Sequence, residues 1–356
     1  MSRDAVLVTG ATGLVGAEVV KRLVAMNRPV VAVTHRRPRI VANDGRAIAA
    51  SNKVRHVAGD VRIVRFGLDE KVSTALTHTV GCIVHCAATT AFNAPDRVYD
   101  ELNIGATRNA IALGRRLDVP LVHVSTAYVC GRRDGTVRES EFDRGQSFGN
   151  GYERSKFHAE QLVRAADGLR WTIIRPGIVT GATETGAIRD YKNFYTVLKL
   201  IVEGKLRTLP GRYEATLSLV PVDHVADVVV AAIAHIDSAA GRTFHAVGVE
   251  AISLRAVSDV LAEYPSFEVA TFVPHASFSP DELDGVEREY YLRIGAQYTS
   301  YFDRRLTFDA TNAVELLGRP LPATGKDYLR ILLDHCLDAG YLGSPLPTID
   351  EILAVH

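Results

Sequence analysis

Short apolar runs alternate with helical stretches over the first half of the chain. The first run, Val6–Val8, is followed by five others with the character of buried parallel strands: Val30–Thr34, Val54–Val57, Cys82–His85, Leu121–Ser125 and Trp171–Arg175. Between the runs, apolar positions have helical spacing near residues 14–26, 96–116 and 152–166. This alternation predicts an α/β fold in which a doubly wound parallel sheet carries helices on both faces.

The pattern changes after Pro176. Residues 181–214 are rich in loop residues and hold one helix candidate, Tyr191–Val202. Beyond about residue 248 the sequence is helical in patches, and it is rich in tyrosine between residues 287 and 301. The other elements predicted in this part are a strand over Leu217–Pro221, a helix from Asp223 to His235, and helices near 253–263, 311–318 and 324–338.

Three glycines separate the first strand from the first helix in the spacing G-x-x-G-x-x-G, one residue wider at its start than the dinucleotide-binding fingerprint. Glycines let the backbone turn tightly and approach a pyrophosphate. The helix N-terminus adds free N–H groups and the positive end of the helix dipole. The sequence therefore predicts that a dinucleotide is bound by Gly10, Thr12, Gly13, Leu14, Val15 and Gly16.

These features divide the chain into two predicted domains. We expect a Rossmann-type dinucleotide-binding domain made of residues 1–180 together with 215–247. A smaller, discontinuous C-terminal domain is expected over residues 181–214 together with 248–356. Because open α/β sheets bind ligands beyond the carboxyl ends of their strands, the smaller domain should cover that edge and bind the substrate.

The end of the second strand indicates which dinucleotide is bound. In this fold an acidic residue there binds the ribose hydroxyls of NAD(H), and a basic one accommodates the 2′-phosphate of NADP(H). The strand ends in His35, Arg36 and Arg37, with no carboxylate. NADP(H) is therefore predicted over NAD(H), unless the arginines are merely solvated loop residues. Asp60 and Val61, after the third strand, are placed to contact the adenine, although Asp60 could equally be an ordinary turn residue.

Tyr152 and Lys156 are four residues apart at the start of a predicted helix and so share one helix face. A free phenol has a pKa of about 10. A nearby ammonium and a positive nicotinamide ring would favour the phenolate and lower the tyrosine pKa toward neutrality. Ser125 and Thr126, where a strand runs into a loop, supply a second hydroxyl. Together these residues predict acid–base chemistry on a carbonyl oxygen.

Bulk composition excludes several other classes of protein. The 356 residues are 47% apolar with a formal net charge of +0 and no long charged run, so neither a nucleic-acid nor a membrane surface is indicated. The most apolar window, Val225–Ile236, is too short to span a bilayer. A strand begins within a few residues of Met1, which leaves no room for a signal peptide and predicts a cytoplasmic protein. The four cysteines show no metal-ligand spacing, so no metal site is expected.

Several motifs together resemble the extended short-chain dehydrogenase/reductase superfamily, and within it the thioester-reductase and fatty acyl-CoA reductase branch. The resemblance covers roughly residues 5–236. The segment Gly181–Gly186, followed by Tyr191–Leu200, favours this branch over the sugar epimerases. The other matching segments are Thr9–Gly16, His85–Ala88, Asn103–Thr107, Val124–Val129, Gly151–Glu160, Arg175–Gly181 and Pro221–Ala226.

The resemblance implies specific catalytic roles. It makes Tyr152 the proton donor and Lys156 the residue that binds the nicotinamide ribose and lowers the pKa of Tyr152. Thr126 matches the catalytic hydroxyl. Ser125 is the less favoured candidate because alternate strand residues face opposite ways. Asn103 matches the asparagine that supports the active-site helix and a water relay.

Further positions complete the predicted site. The substrate is expected to contact Phe92, Ser125, Thr126 and Tyr152. The remaining cofactor contacts are expected from Tyr152, Lys156, Ala87, Ala88, Thr89, Pro176, Gly177, Ile178 and Val179.

The activity expected from these residues is hydride transfer from NADPH to a carbonyl or an acyl thioester, with no cysteine nucleophile. The acyl group could arrive on coenzyme A or a carrier protein. One alternative is a ketone/alcohol oxidoreductase or epimerase of the sterol or nucleotide-sugar type. An alternative of another class is a catalytically silent NADPH-sensing regulator, although such relatives typically lose the Tyr–Lys pair.

A homodimer is also expected, because relatives commonly associate through the helices near 96–116 and 152–166. The first of these carries an apolar face that could mediate the contact or simply pack on the sheet: Val98, Leu102, Ala106, Ala110 and Leu113.

Overall fold

A seven-stranded parallel sheet forms the centre of the computed structural model, which describes residues 3–36 and 38–343. Its strands are β1 (Ala5–Thr9), β2 (Val30–Thr34), β3 (Val54–Ala58), β4 (Val80–His85), β5 (Leu121–Val124), β6 (Trp171–Pro176) and β7 (Thr243–Ala246). Across the sheet the order is β3-β2-β1-β4-β5-β6-β7. The order in which strands are added to the sheet reverses between β1 and β4, and doubly wound sheets bind ligands at such a point. The predicted Rossmann-type α/β fold is confirmed.

Ten helices of seven or more residues occur in the described part of the chain. They are α1 (Leu14–Ala25), α2 (Glu70–Thr79), α3 (Ala106–Leu117), α4 (Gly151–Arg164), α5 (Phe194–Val202), α6 (Val222–Ala234), α7 (Leu254–Leu261), α8 (Gly285–Arg293), α9 (Thr311–Leu317) and α10 (Lys326–Asp338). Shorter helical segments cover 64–67, 96–99, 127–130, 236–239, 275–277, 280–282, 295–297 and 299–301. Paired short strands are 40–41 with 47–48, 135–137 with 306–308, 178–180 with 219–221, 208–210 with 271–273, and 216–217 with 252–253.

Alternating side chains of the sheet enter two separate cores. Val6 and Val8 of β1 pack on one face with α1 and α6. Leu7 packs on the other face with Leu113 of α3 and Val163 of α4. This two-residue period follows from the pleat of a strand. Because both faces of the sheet are buried, the apolar runs are nearly continuous.

A third core lies beyond the carboxyl ends of the strands. It joins α5, α7 and α10 through residues such as Leu198, Leu254 and Leu332. Tyr128, in the segment that follows β5, packs in the same core. The region predicted to bind substrate therefore has a hydrophobic core of its own, while the predicted domain limits stay a prediction.

The predicted strand Leu217–Pro221 is two strands. Thr216–Leu217 pairs antiparallel with Ile252–Ser253, and Leu219–Pro221 pairs parallel with Ile178–Thr180. Ser218 separates them because its N–H donates to the Tyr128 hydroxyl at 3.2 Å. Tertiary hydrogen bonds thus divide a run that is continuous in hydropathy.

The helix predicted over residues 96–116 is also interrupted. A π-helical turn, Asp100–Gly105, stands between the segment 96–99 and α3. Ala110 and Leu113 of the proposed dimer face pack in the core against the sheet. Because burial within the chain already accounts for those two positions, the homodimer stays a prediction.

Within residues 3–36 and 38–343, no helix has the length and apolar composition needed to cross a membrane.

Candidate functional site

In the turn between β1 and α1, the glycines lie very close to other backbone atoms. Gly10 has a φ of +67°, and a Cβ there would lie 2.7 Å from the Ala87 nitrogen. A Cβ on Gly16 would lie 2.2 Å from the Gly10 carbonyl oxygen. Helix α1 begins at this turn with no side-chain cap from the described residues and no acidic residue in its first turn. The turn therefore presents free N–H groups and a positive helix end, which suit a diphosphate.

A cavity of about 340 Å³ opens at this turn, passes the ends of β4, β5 and β6, and reaches α5 and α7. Its wall includes three of the predicted substrate residues: Phe92, Thr126 and Tyr152. The predicted cofactor residues on its wall are Tyr152, Gly10, Gly13, Leu14, Val15, Gly16, Ala88, Gly177, Ile178 and Val179.

Other predicted site residues lie behind this wall or away from it. Lys156, Thr89 and Asn103 do not line the cavity and make buried or half-buried contacts described below. The remaining predicted residues that do not line the cavity are Thr12, His35, Arg36, Asp60, Val61, Ala87, Ser125 and Pro176. Arg37 lies outside the described residues.

Ser125 and Thr126 face opposite sides, as the strand alternation predicts. The Ser125 hydroxyl donates to Glu160 Oε2 at 2.8 Å and is buried. The Thr126 hydroxyl lies at the cavity, where it donates to the Pro176 carbonyl at 3.3 Å. Ser125 does not line the cavity, because a buried carboxylate holds its hydroxyl on the other side, and its predicted substrate contact stays a prediction.

Tyr152 lies in the first turn of α4, whose N-cap Asn150 accepts a hydrogen bond from the Glu153 N–H at 2.9 Å. Burial raises the pKa of Tyr152 to about 12, and the nearby Thr126 hydroxyl opposes this shift. The shift is opposite to the lowering that we expected from Lys156, because the phenol is buried. At neutral pH the phenol therefore carries its proton.

Lys156 lies one turn further along α4 and is 3% exposed. Its Nζ donates to the Val124 carbonyl at the end of β5 at 2.7 Å. Burial lowers the pKa of Lys156 to about 8. The ammonium is thus held between α4 and the carboxyl edge of the sheet, on the same helix face as Tyr152.

Asn103, in the π-helical turn, joins two parts of the site. Its Oδ1 accepts from the Thr89 N–H at 2.8 Å, and its Nδ2 donates to the Ser155 hydroxyl of α4 at 2.8 Å. The loop after β4 is therefore tied to α4 through one amide. π-Helical turns are frequent at functional sites because they turn a side chain inward.

The edge of the sheet at the end of β2, where adenosine is predicted to bind, is basic. His35 and Arg36 are exposed after β2. The Arg62 Nη2 donates to Asp60 Oδ2 at 2.6 Å and lowers the pKa of Asp60 to about 2. The sequence pattern did not predict a role for Arg62. The Val61 carbonyl accepts from Asn109 Nδ2 at 2.9 Å. The Asp60 carboxylate is therefore occupied by an arginine.

Aromatic side chains from the C-terminal region complete the wall around the phenol. Phe92 stacks on Tyr152 with ring centroids 5.8 Å apart, and on Tyr301 at 5.5 Å. Tyr298 lies 5.1 Å from the same ring. The tyrosine-rich composition of residues 287–301 is the signal in the sequence for these contacts, but it does not say which rings reach the site.

A buried ion pair secures that aromatic segment to α4. Arg304 Nη2 donates to Glu153 Oε1 at 2.8 Å, and the two side chains are 4% and 0% exposed. The guanidinium lies over the ring of Tyr301 at 4.5 Å and that of Tyr128 at 5.3 Å. The carboxylate partner is the residue next to Tyr152, so the pair positions the aromatic wall relative to the phenol.

The cavity offers no activated thiol within the described residues. Cys86 lines it, and burial raises the pKa of that thiol to about 12. No group of three or more His, Cys, Asp or Glu side chains that could hold a metal ion occurs in the part of the chain that the structure describes. The polar groups close to Tyr152 are therefore hydroxyls on the wall and the Lys156 ammonium behind it.

Comparison with known proteins identifies the family of this chain. The family model described as male sterility protein matches residues 8–229. The large subunit of L-2-aminoadipate reductase from Penicillium chrysogenum is 28% identical over 278 residues, which cover 69% of this chain and 20% of that protein. Isonitrile lipopeptide synthase from Streptomyces coeruleorubidus is 30% identical over 243 residues, which cover 64% of this chain and 16% of that protein. The chain thus spans a fifth or less of the length of these relatives.

Solved structures show the same fold. The terminal R domain from the myxalamid PKS-NRPS biosynthetic pathway has a TM-score of 0.81 at 24% identity, covering 97% of this chain and 93% of that chain. MoeE5 in complex with UDP-glucose and NAD has a TM-score of 0.67 at 20% identity, covering 94% of this chain and 99% of that chain.

The fold and the family match define a Rossmann-type, NAD-binding class of protein. The chain belongs to the male sterility protein family of NAD-binding proteins. The resemblance identified from the motifs is confirmed.

We expect Arg304→Met to destabilise the protein strongly, because it leaves the buried Glu153 carboxylate without its cationic partner. Breaking a buried ion pair by removing one partner typically costs about 3–5 kcal/mol. The free energy of unfolding in urea measures this effect. Arg305→Met is the matched control, since the neighbouring side chain is exposed and should change stability by less than about 0.5 kcal/mol. Equal losses in the two variants would contradict the assignment.

Proposed function

We propose that the chain reduces an acyl thioester to an aldehyde with NADPH as the hydride donor. The observation that carries the proposal is the position of Tyr152 and Thr126. Both hydroxyls lie on the wall of one cavity that begins at the glycine turn and ends among apolar side chains. A carbonyl placed there meets two hydroxyls beside a dinucleotide site.

The residues present fit a nicotinamide dinucleotide. A Cβ at Gly10 or Gly16 would collide with backbone, so the turn keeps open the close approach that a diphosphate needs. Gly177 and Ile178 on the far wall would contact the nicotinamide end, and Arg36 would contact a 2′-phosphate. When bound, NADPH supplies a hydride to the carbonyl carbon.

Tyr152 and Thr126 stabilise the oxygen of that carbonyl as it gains negative charge. The raised pKa of Tyr152 keeps the phenol protonated, so it can donate a hydrogen bond and then the proton. Thr126 donates a second hydrogen bond to the same oxygen. Lys156, which is held at the Val124 carbonyl, positions a buried positive charge one helical turn away.

A thioester accounts for the site better than a nucleotide sugar. Reduction of a thioester gives a hemithioacetal, which collapses to aldehyde and thiol without an acyl-enzyme. This route suits a cavity whose cysteine, Cys86, has a raised pKa. The names of the relatives, an aminoadipate reductase and the R domain of a PKS-NRPS, support the same reaction class. The acyl group would then arrive on coenzyme A or a carrier protein.

We expect Tyr152→Phe to lower turnover about 10²–10⁴-fold because the proton donor is lost, and Thr126→Ala to lower it about 10²–10³-fold because one oxyanion donor is lost. Steady-state NADPH oxidation with an acyl-coenzyme A thioester measures turnover, and fluorescence titration measures NADPH binding, which should persist in both variants.

Ser125→Ala is the matched control for these hydroxyls, since Ser125 faces Glu160, and its effect on turnover should be much milder than that of Thr126→Ala. Full turnover in Tyr152→Phe would eliminate the mechanism. NADPH binding without any turnover in the wild type would instead indicate a protein that binds NADPH without using it. If Ser125→Ala lost turnover and Thr126→Ala kept it, the catalytic hydroxyl would be that of Ser125.

We also expect the wild type to bind NADPH more tightly than NADH. Loss of one charge-assisted contact costs about 1.5–3 kcal/mol, so Arg36→Ala should reduce the preference at least about tenfold. Calorimetric titration of both dinucleotides measures it. Arg39→Ala is the control because this arginine is also exposed and nearby in sequence. Equal affinities in the wild type would show that the basic edge does not select the cofactor.

A further inference from the structure

The cavity beyond Tyr152 has a hydrocarbon wall. Six of its residues come from α5, α7 and neighbouring segments: Leu198, Ile201, Leu217, Leu254, Val257 and Phe272. All six are buried and belong to the third core. A ligand group that enters this part of the cavity therefore leaves water for an apolar surface.

Charged groups are confined to one part of this wall. In the described part of the chain, the charged side chains that line the cavity are Asp190 and Lys192. They pair with each other at 2.5 Å, and both are more than a third exposed. The Tyr195 hydroxyl accepts a hydrogen bond from the Gly181 N–H at 2.8 Å, so it is already engaged. A charged substrate terminus among the apolar residues would find no partner there.

We infer that the substrate of this site carries an uncharged, apolar acyl chain that enters between α5 and α7. The inference rests on the proposed function and specifies its substrate class. Burial of each methylene strengthens binding about fourfold. An ionised terminal group in the same place loses its hydration without a compensating partner. The site should therefore reject an acyl group that ends in a carboxylate or carries an ammonium.

The test is a ladder of pantetheine thioesters from acetyl to octanoyl, together with a suberyl thioester that ends in a carboxylate. We expect kcat/KM to rise with each methylene, by up to about fourfold, until the cavity is filled. The suberyl thioester should be at least about 100-fold poorer than the octanoyl thioester. A flat ladder, or equal use of the suberyl and octanoyl thioesters, would overturn the inference.

Two variants test where the acyl chain of the substrate binds. Val257→Phe fills the cavity with an apolar ring and should lower the octanoyl-to-acetyl ratio of kcat/KM at least about tenfold. Val249→Phe is the matched control, because Val249 is 61% exposed and outside the cavity, and its ratio should match that of the wild type. An unchanged ratio in Val257→Phe would place the acyl chain elsewhere.

A binding measurement separates this inference from the proposed function. Non-reducible acyl-pantetheine amides of the same chain lengths are titrated calorimetrically. If no thioester is reduced but amide affinity still rises with chain length, the proposed reaction is wrong and the apolar pocket stands. If the acetyl thioester is reduced but amide affinity does not change with length, the reaction stands and the apolar pocket is wrong.

A second observation concerns the loop that leads into α5. Arg189 extends from this loop to the glycine turn, where its Nη2 donates to the Thr12 carbonyl. Its Nε is buried and makes no hydrogen bond to any described residue. Ile188 and Asp190, on either side, line the cavity. A guanidinium with donors to spare thus lies at the N-terminus of α1 on a loop that also forms the acyl pocket.

We propose that Arg189 binds the diphosphate of the dinucleotide and so couples cofactor binding to the position of the loop before α5. Guanidinium and phosphate pair through parallel N–H···O bonds, and the spare donors match that geometry. A half-buried guanidinium whose Nε has no partner among the described residues is also poorly compensated until an anion binds.

We expect Arg189→Met to weaken binding of NADPH and of 2′-phospho-ADP-ribose at least about tenfold, because both contain the diphosphate. Binding of 2′-AMP, which lacks it, should not change. Arg189→Lys should recover part of the loss, and Arg293→Met, at an exposed arginine, is the control. Calorimetric titration measures each of these affinities and requires no turnover. Equal weakening of 2′-AMP, or undiminished NADPH binding, would contradict the role.

Discussion

The Glu153–Arg304 ion pair joins the two parts of the molecule at the point where chemistry is expected. Glu153 follows Tyr152 in the first turn of α4, and Arg304 belongs to the segment that supplies Tyr301. Both charges are buried, so neither is stable without the other. The pair therefore fixes the aromatic wall relative to the phenol, and the shape of the cavity depends on it.

Helix α4 is held by two further polar contacts on its buried side. The Ser155 hydroxyl accepts a hydrogen bond from Asn103, and Glu160 binds Arg175 of β6 at 2.6 Å. Burial of such groups is favourable only when each has a partner in the correct geometry. These contacts set the position of Tyr152 and Lys156 on the same helix more narrowly than apolar packing alone would.

The cavity has two kinds of wall because the edge of the parallel sheet and the third core meet at it. Backbone groups and hydroxyls come from the carboxyl edge of the parallel sheet, where the strand order reverses between β1 and β4. Apolar groups such as Leu198 and Val257 come from the third core. A dinucleotide suits the first wall and an apolar acyl chain suits the second. The loop that carries Arg189 contributes to both, which makes it the natural link between the two ligands.

Local pattern in the sequence determined the sheet, the glycine turn and the Tyr152–Lys156 pair, because periodicity and short spacings act within one element. It also separated Thr126 from Ser125, since alternation along a strand is a local property. Only the tertiary structure decided the division of Leu217–Pro221, the arginine partners of Asp60 and Glu153, and the raised pKa of Tyr152. Each of these depends on burial or on a partner far away in the chain, and the spacing of neighbouring residues carries no information about either.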